Sequence, residues 1–199
     1  MKYRWAFARK AEVSTVKMPE NLTEVKLRQT DIYTGKILKL HIDDVRLPNG
    51  REAVREVVDH VDGAAVLALD EENRALVVWQ YRYVFGRVMA ELPAGKLDPG
   101  EDPVTGALRE LKEELGISGC ELRKIADFDA GENNGWEFIA LYEGRYSGKV
   151  RFPAAEVDSV QWFTPEQIQA WVERRPQDFS PAFIPCWNAW LAANKNASF

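Results

Sequence analysis

The segment from Gly95 to Ile117 reads GKLDPGEDPVTGALRELKEELGI, and the rest of the chain is best interpreted around it. It predicts a short helix with three glutamates on one side. A helix advances about 100° per residue, so Glu110, Glu113 and Glu114 fall within an arc of roughly 100°. Like charges at these spacings repel by about 0.2–0.5 kcal/mol per pair. Because clustered carboxylate oxygens suit hard divalent ions such as Mg²⁺ or Mn²⁺, we expect a metal site here.

The same segment contains the signals that begin and end a helix. Asp102 is typical of an N-cap, Pro103 is tolerated in the first turn, and Gly116 favours a left-handed end. Apolar residues repeat at helical spacing and predict a buried stripe: Val104, Ala107, Leu108, Leu111 and Leu115.

Two interpretations of the glutamates compete. Taken alone, they are typical of a solvated helix face with one ion pair between Arg109 and Glu113. The whole segment, however, has glycine, five residues, Glu101, seven residues, and then Arg-Glu-aliphatic-any-Glu-Glu-any-Gly-aliphatic. It resembles the Nudix box without departure at any specified position. The resemblance implies a hydrolase that cleaves a nucleoside diphosphate linked to another group.

Composition favours an enzyme in a reducing compartment. The chain has 199 residues, 46% of them hydrophobic, and a net charge of −5, which argues against a general nucleic-acid binder. No apolar run approaches the roughly 18 residues of a membrane span, and the N-terminus lacks a signal-peptide pattern. Cys120 and Cys186 form no disulfide or zinc spacing and are expected to be buried fillers. We therefore expect a cytoplasmic protein with no membrane partner.

Residues 1–60 predict a small strand-rich unit after a polar lead over residues 1–21. Strands are expected over residues 24–30, 36–47 and 53–60, with a hairpin turn from Leu47 to Gly50. The second strand alternates between two faces: Leu38, Leu40 and Ile42 on one, and Lys39, His41 and Asp43 on the other. Three strands are too few for independent stability, so the unit should pack on the rest of the chain or on a second subunit.

Residues 61–199 predict the main domain. Continuous apolar runs at 64–69 and 75–79 indicate buried strands, followed by the helix of the box and by strands over 122–129, 137–142 and 157–163. Two helices follow, one capped by Thr164 and one over 182–193, whose aromatic residues indicate core or dimer contacts. With the box, this order implies an α+β fold, the Nudix α/β/α sandwich with a mixed sheet, preceded by a small antiparallel sheet.

Motifs outside the box resemble bacterial ADP-ribose pyrophosphatases: Leu47–Gly50, Arg55–Val58, Gln80–Arg82 and Glu91–Asp102. That branch implies a homodimer whose N-terminal sheets help to build the nucleotide pocket, and AMP and ribose 5-phosphate as products. The chain departs from the branch after the box, where Asp129-Ala130-Gly131 stands in place of Ser-Pro-Gly. Other nucleoside diphosphate sugars therefore remain alternatives.

The resemblance also implies site residues. Glu110, Glu113 and Glu114 would hold Mg²⁺ or Mn²⁺, with Glu101 completing the site and Arg109 orienting Glu113. The carbonyl of Ala94 or Gly95 would add a ligand.

The general base and the substrate contacts lie outside the box. Glu156 occupies the region of the branch's catalytic base, and Asp158 is the alternative. Arg55, Arg82 and Glu91 are candidate substrate contacts, although both arginines also fit ordinary strand surfaces.

Two further functional readings remain open beside the sugar-nucleotide hydrolase. One is another Nudix substrate, such as a dinucleoside polyphosphate or a nucleoside triphosphate. The other is a non-catalytic module that binds ADP-ribose without cleaving it.

Overall fold

The N-terminal part of the chain forms a small sheet of its own. A computed structural model describes residues 22–153 and 157–194, and the chain divides into two compact units, Met1–Asp59 and His60–Phe199. In the first unit, three strands follow in the order β1-β2-β3: β1 (Val25–Thr34), β2 (Leu38–Arg46) and β3 (Glu52–His60). The predicted hairpin turn is confirmed, because the Gly50 amide donates to the Leu47 carbonyl and Gly50 has φ +83°.

Strand β2 alternates as predicted, but its more buried side is the polar one. His41 and Asp43 are buried, whereas Leu38 and Leu40 are only partly covered. The two polar groups satisfy each other, with His41 Nδ1 2.9 Å from an Asp43 oxygen, and Lys26 Nζ lies 2.9 Å from the other oxygen. A period of two shows which residues share a face, but it does not show which face is covered.

The second unit is built on a mixed seven-stranded sheet. Its main path runs β10-β5-β4-β9-β8, with β6 paired to β5 and β7 paired to β4. Strands β4 and β9 are parallel, and the other pairs are antiparallel. The strands span Gly63–Leu69 (β4), Ala75–Arg82 (β5), Arg87–Glu91 (β6), Ala94–Lys96 (β7), Leu122–Phe128 (β8), Ile139–Arg145 (β9) and Ser159–Phe163 (β10).

Helices cover both faces of this sheet. Helix α1 (Pro103–Leu115) packs on one face, and α2 (Pro165–Arg174) and α3 (Phe183–Ala193) pack on the other. Strand β4 contributes to both cores because all seven of its residues are buried. Ala65, Leu67 and Leu69 enter the core below α2 and α3, whereas Ala64, Val66 and Ala68 enter the core below α1. The predicted three-layer sandwich is confirmed.

Helix α1 has the predicted ends and a different buried stripe. Asp102 accepts hydrogen bonds from the amides of Val104 and Thr105, and Gly116 closes the helix at φ +66°. Val104 was predicted to be buried, but its side chain is exposed because it lies in the first turn of the helix. Glu114 is buried instead, beside Leu115.

The aromatic residues predicted to make core or dimer contacts pack in the core between the sheet and helices α2 and α3. A row of ring contacts with centroid distances from 4.4 to 6.4 Å joins Trp79, Trp171, Phe179, Phe183, Trp187 and Trp190. Both cysteines are free and buried, as predicted. Within residues 22–153 and 157–194, no helix is long and apolar enough to span a membrane.

Candidate active site

A cavity of about 830 Å³ opens in the second unit where β4, β5, β7 and the start of α3 meet. This volume lies within the range of small-molecule sites. Six of its lining residues carry the chemistry discussed below: Gln80, Arg82, Glu91, Lys96, Glu114 and Glu137. The aromatic side chains of Tyr81, Tyr83 and Phe85 also line it, whereas Trp136 does not.

Glu114 is the buried acid of this cavity. It is only 8% exposed, and its Oε2 atom has no hydrogen-bond partner among the described residues. The Oε1 atom lies 3.5 Å from the amide nitrogen of Gln80. Burial, reinforced by the nearby charge of Glu110, raises the pKa of Glu114 to about 7. A buried carboxylate oxygen without a partner is costly, and a cation would remove that cost.

Glu110 lies against the backbone of Gly95. A β-carbon built on Gly95 would lie 1.9 Å from the Glu110 carboxyl carbon and 2.2 Å from each of its oxygens. Glycine therefore leaves the space that the Glu110 carboxylate occupies, since any side chain at residue 95 would displace that carboxylate. The Gly95 of the box thus sets the position of the Glu110 of the box.

Arg109 holds three carboxylates and a carbonyl. Its guanidinium donates to both oxygens of Glu101 at 3.0 and 2.9 Å, to Glu110 at 2.7 Å, and to Glu113 at 3.2 Å. It also donates to the carbonyl of Lys96 at 2.9 Å. The predicted contact with Glu113 is confirmed, but the bidentate partner is Glu101. Arg109, helped by the Asp98 amide, holds the pKa of Glu101 at about 2.

The carboxylates of the box are the ligand type that divalent ions prefer, but their oxygens do not point to one common position. Among the described residues, no three Asp, Glu, His or Cys side chains are arranged to hold an ion. The reason is local, since Arg109 engages Glu101, Glu110 and Glu113 together. Glu114, which lines the cavity, nevertheless offers an unpartnered hard oxygen donor. The Glu110 carboxylate lies behind the cavity residue Gly95 and does not itself line the cavity.

Arg82 and Glu91 form a two-pronged ion pair on the cavity wall. Arg82 Nε lies 2.6 Å from one Glu91 oxygen, and Nη2 lies 2.5 Å from the other. The Glu91 side chain is 7% exposed, whereas that of Arg82 is 45% exposed. Burial of the acid therefore fixes the arginine while leaving part of its guanidinium open to a ligand.

The loop after β8 is organised by a buried asparagine. The Asn134 side chain donates to the carbonyls of Asp129 and Glu137 at 2.8 and 2.9 Å, and it accepts from the Gly131 amide at 2.9 Å. Trp136 follows in the left-handed region at φ +63°, which costs a non-glycine residue about 1–2 kcal/mol. We call residues 129–137 the Asn134 loop.

We expect Asn134→Ala to lower the free energy of unfolding by about 2–3 kcal/mol, because three hydrogen bonds are lost and their partners are partly buried. Urea unfolding measures this change. The matched control is Asn133→Ala, whose side chain is exposed. Equal effects of the two substitutions would show that Asn134 does not organise the loop.

The other predicted site residues lie elsewhere. Arg55 belongs to the N-terminal unit, where it pairs with Glu24 and donates to the Val54 carbonyl. Glu156, the proposed general base, lies outside the described residues. Its alternative, Asp158, directly precedes β10, donates its amide to the Trp79 carbonyl, and is not among the cavity residues.

Comparison with known proteins identifies the fold family. A family model described as the NUDIX domain matches residues 59–183. This chain belongs to the Nudix family. The N-terminal unit matches a second model, the nucleoside diphosphate sugar hydrolase N-terminal domain, over residues 25–58. The protein is therefore a Nudix hydrolase with the N-terminal module of the sugar-nucleotide hydrolases.

Individual relatives are consistent with the Nudix assignment. The chain is 36% identical over 160 residues to the methanol dehydrogenase activator of Bacillus methanolicus, covering 78% of this chain and 86% of that one. It is 42% identical over 109 residues to the ADP-ribose pyrophosphatase of Bacillus subtilis, covering 55% and 59%. The match to this pyrophosphatase thus covers less than two thirds of its length. A solved ADP compounds hydrolase shares the fold, with a TM-score of 0.63 at 14% identity over 90% of this chain and 98% of the other.

Three residues of this Nudix site were not singled out from the sequence: Lys96, Asn134 and Glu137. Lys96 and Glu137 act through a contact that depends on the fold, since they are 41 positions apart, whereas Asn134 bonds only within its own loop. For Asn134 a local signal exists, because asparagine with glycine on one side and a polar run on the other is typical of a capped turn.

Proposed function

We propose that this Nudix hydrolase is a metal-dependent pyrophosphohydrolase of ADP-ribose or a related nucleoside diphosphate sugar. The products would be a nucleoside monophosphate and a sugar phosphate. One observation carries the proposal: an unpartnered, buried Glu114 oxygen faces a cavity of about 830 Å³ that also presents Arg82. A buried acid in need of a cation and a fixed arginine are complementary to a metal-bound diphosphate.

Glu110, Glu113 and Glu114 are the proposed side-chain ligands of Mg²⁺ or Mn²⁺, together with the carbonyl of Ala94. When bound, the ion would neutralise phosphate charge and acidify the attacking water. Glu113 is the most accessible of the three, with a side chain 60% exposed. Its carboxylate can therefore turn toward an ion at little cost.

Arg109 and Glu101 position the ligands. The resemblance to the Nudix box implies Glu101 as a further ligand, and both of its oxygens already accept from Arg109. We propose that this pair holds the guanidinium against the helix, so that Glu110 and Glu113 keep their orientation. The low pKa of Glu101 keeps the pair ionised at any physiological pH.

Arg82 and Glu91 are the proposed substrate contacts within the cavity. The exposed part of the Arg82 guanidinium would bind a phosphoryl oxygen, and Glu91 would keep it in place. Tyr81, Tyr83 and Phe85 offer ring faces for a base, and Tyr83 is 89% exposed.

Three further parts of the proposal come from family resemblance. Glu156 would act as the general base, with Asp158 as the alternative. The chain would form a homodimer through its N-terminal unit, to which Arg55 would contribute a substrate contact. In support of an association, the β1 strand of that unit is exposed over all ten residues, including Val25 and Ile32.

We also propose a reducing compartment such as the cytoplasm, because both cysteines are free.

We expect the purified protein to release phosphatase-sensitive products from ADP-ribose or another sugar nucleotide in the presence of Mg²⁺ or Mn²⁺. The assay compares ADP-ribose, other nucleoside diphosphate sugars, dinucleoside polyphosphates and nucleoside triphosphates. Chelation with EDTA is the control and should abolish release. Turnover of polyphosphates alone would replace the sugar-nucleotide assignment, and turnover of none would favour a binding module.

A further inference from the structure

Lys96, the second residue of the Nudix box, connects Arg109 of helix α1 to the Asn134 loop. Its carbonyl accepts a hydrogen bond from Arg109 at 2.9 Å, and its ammonium lies 2.7 Å from an oxygen of Glu137. The first contact uses the backbone and the second uses the side chain. The side chain of Lys96 can therefore be changed without removing the contact to the box.

The Asn134 loop places Glu137 at this point. Asn134 binds the Glu137 carbonyl directly, and the chain reaches Glu137 through two successive left-handed residues, Gly135 and Trp136. Glycine adopts this conformation freely, but Trp136 is strained in it, and such strain persists only where the surrounding structure enforces it. The position of the Glu137 carboxylate is thus set by the loop and not only by its ion pair with Lys96.

The Lys96–Glu137 pair is placed to exchange partners with a ligand. Both residues line the cavity, and their side chains are 31% and 39% exposed. A pair this open to solvent is weakly held, so either group can turn to a ligand at small cost. The buried Glu91 of the neighbouring pair, at 7% exposure, has no such freedom.

The charges around the pair favour one kind of occupant. The cavity is lined by two cations, Arg82 and Lys96, and by three carboxylates, those of Glu91, Glu114 and Glu137. Two cations suit a diphosphate, which carries two negative charges. A longer polyphosphate would bring further charge toward the carboxylates, and like charges in close contact are strongly disfavoured.

On the basis of the proposed function, we propose that Lys96 and Glu137 form a specificity pair that selects an uncharged, polyhydroxylated group beyond the diphosphate. Lys96 binds the phosphoryl oxygen next to that group, because its ammonium is one of the two cations of the cavity and lies beside Glu137. Glu137 accepts hydrogen bonds from vicinal hydroxyls, for which a carboxylate provides several acceptor sites. A site built to bind hydroxyls discriminates strongly against ligands that lack them.

The test compares kcat/KM for ADP-ribose and for diadenosine tetraphosphate in four variants. We expect Glu137→Gln to lower the value for ADP-ribose by about 10–100-fold, the effect of losing a charged hydrogen bond, without lowering it for the polyphosphate. Lys96→Met should lower both values, and Lys96→Arg should restore most of the loss because it keeps the charge. Lys124→Met is the matched control, since Lys124 forms a comparable pair with Asp127 at 2.8 Å on β8.

A second readout separates this inference from the proposed function. Calorimetric titration with ADP-ribose in EDTA measures binding without turnover, and Glu137→Gln should weaken it while Lys124→Met does not. If the wild type hydrolyses ADP-ribose and Glu137→Gln leaves both the substrate ratio and the binding unchanged, the specificity pair is refuted and the function stands. If the wild type hydrolyses no sugar nucleotide, the function fails, and the titration still decides whether the pair recognises the sugar.

Discussion

Glu114→Gln is expected to lower kcat by about 10³-fold and, at the same time, to stabilise the metal-free protein above pH 7. The loss of turnover follows because metal binding stabilises transition-state charge by several kcal/mol, and each step of about 1.4 kcal/mol changes a rate tenfold. The gain in stability follows because glutamine places no charge beside Glu110 in this buried position. Catalysis and stability therefore make opposite demands on residue 114.

The pH dependence of stability has a defined sign. Glu114 has a pKa of about 7 in the folded protein, against an ordinary value of 4.5. Between these values the folded carboxyl keeps its proton while the unfolded one has lost it. The free energy of unfolding of the metal-free protein therefore falls as pH rises through this window, by about 3 kcal/mol in total, and this contribution levels off above about pH 7.

Urea unfolding in EDTA from pH 4.5 to 8.5 measures this fall, and added MgCl₂ should reverse it in the wild type only. Glu121→Gln, at an exposed position, is the control and should keep the wild-type profile. Parallel pH profiles for Glu114→Gln and the wild type would falsify the assignment of the buried charge to Glu114.

Gly95→Ala is expected to weaken metal binding by about 100-fold, the upper range for groups that orient a metal ligand. The new β-carbon would take the place of the Glu110 carboxylate, which is 1.9 Å away. That carboxylate ends a flexible side chain, so it can move aside, and the fold should lose only about 1 kcal/mol. Calorimetric titration with Mn²⁺ measures the affinity, and thermal unfolding in EDTA measures the stability.

Gly131→Ala is the matched control for this substitution. Gly131 has an extended backbone, and the nearest atoms to a β-carbon there lie 4.0 Å away. It should leave Mn²⁺ affinity unchanged. Equal affinity in Gly95→Ala and the wild type would mean that Glu110 does not bind the ion from the position it occupies here.

Local signals in the sequence were sufficient for helix α1 and most strands. The ends of α1 depend on contacts within a few residues, such as the Asp102 cap and the left-handed Gly116, so the sequence predicts them well. Two short strands, Arg87–Glu91 and Ala94–Lys96, were not predicted. Their patterns are too short for periodicity to show, and they form because β4 and β5 offer open edges to pair with.

The candidate site was predicted where it depends on the box and missed where it depends on topology. Helical spacing brings Glu110, Glu113 and Glu114 to one side of α1, but it does not show that only Glu114 is buried. That difference arises from the sheet, which covers Glu114 with Gln80. The ion pair of Lys96 with Glu137 requires two distant segments to meet, which no local pattern reports.

The register of β4 is encoded by side-chain size. Every residue of this strand is buried, so polarity cannot distinguish its two faces. The faces differ in volume instead, with two leucines toward α2 and α3 and nothing larger than Val66 toward α1. A slip by one residue would press leucines into the narrower layer and leave voids in the other. Because Ala64 pairs with Gly95, a few methyl groups in the core determine where the backbone of the metal site lies.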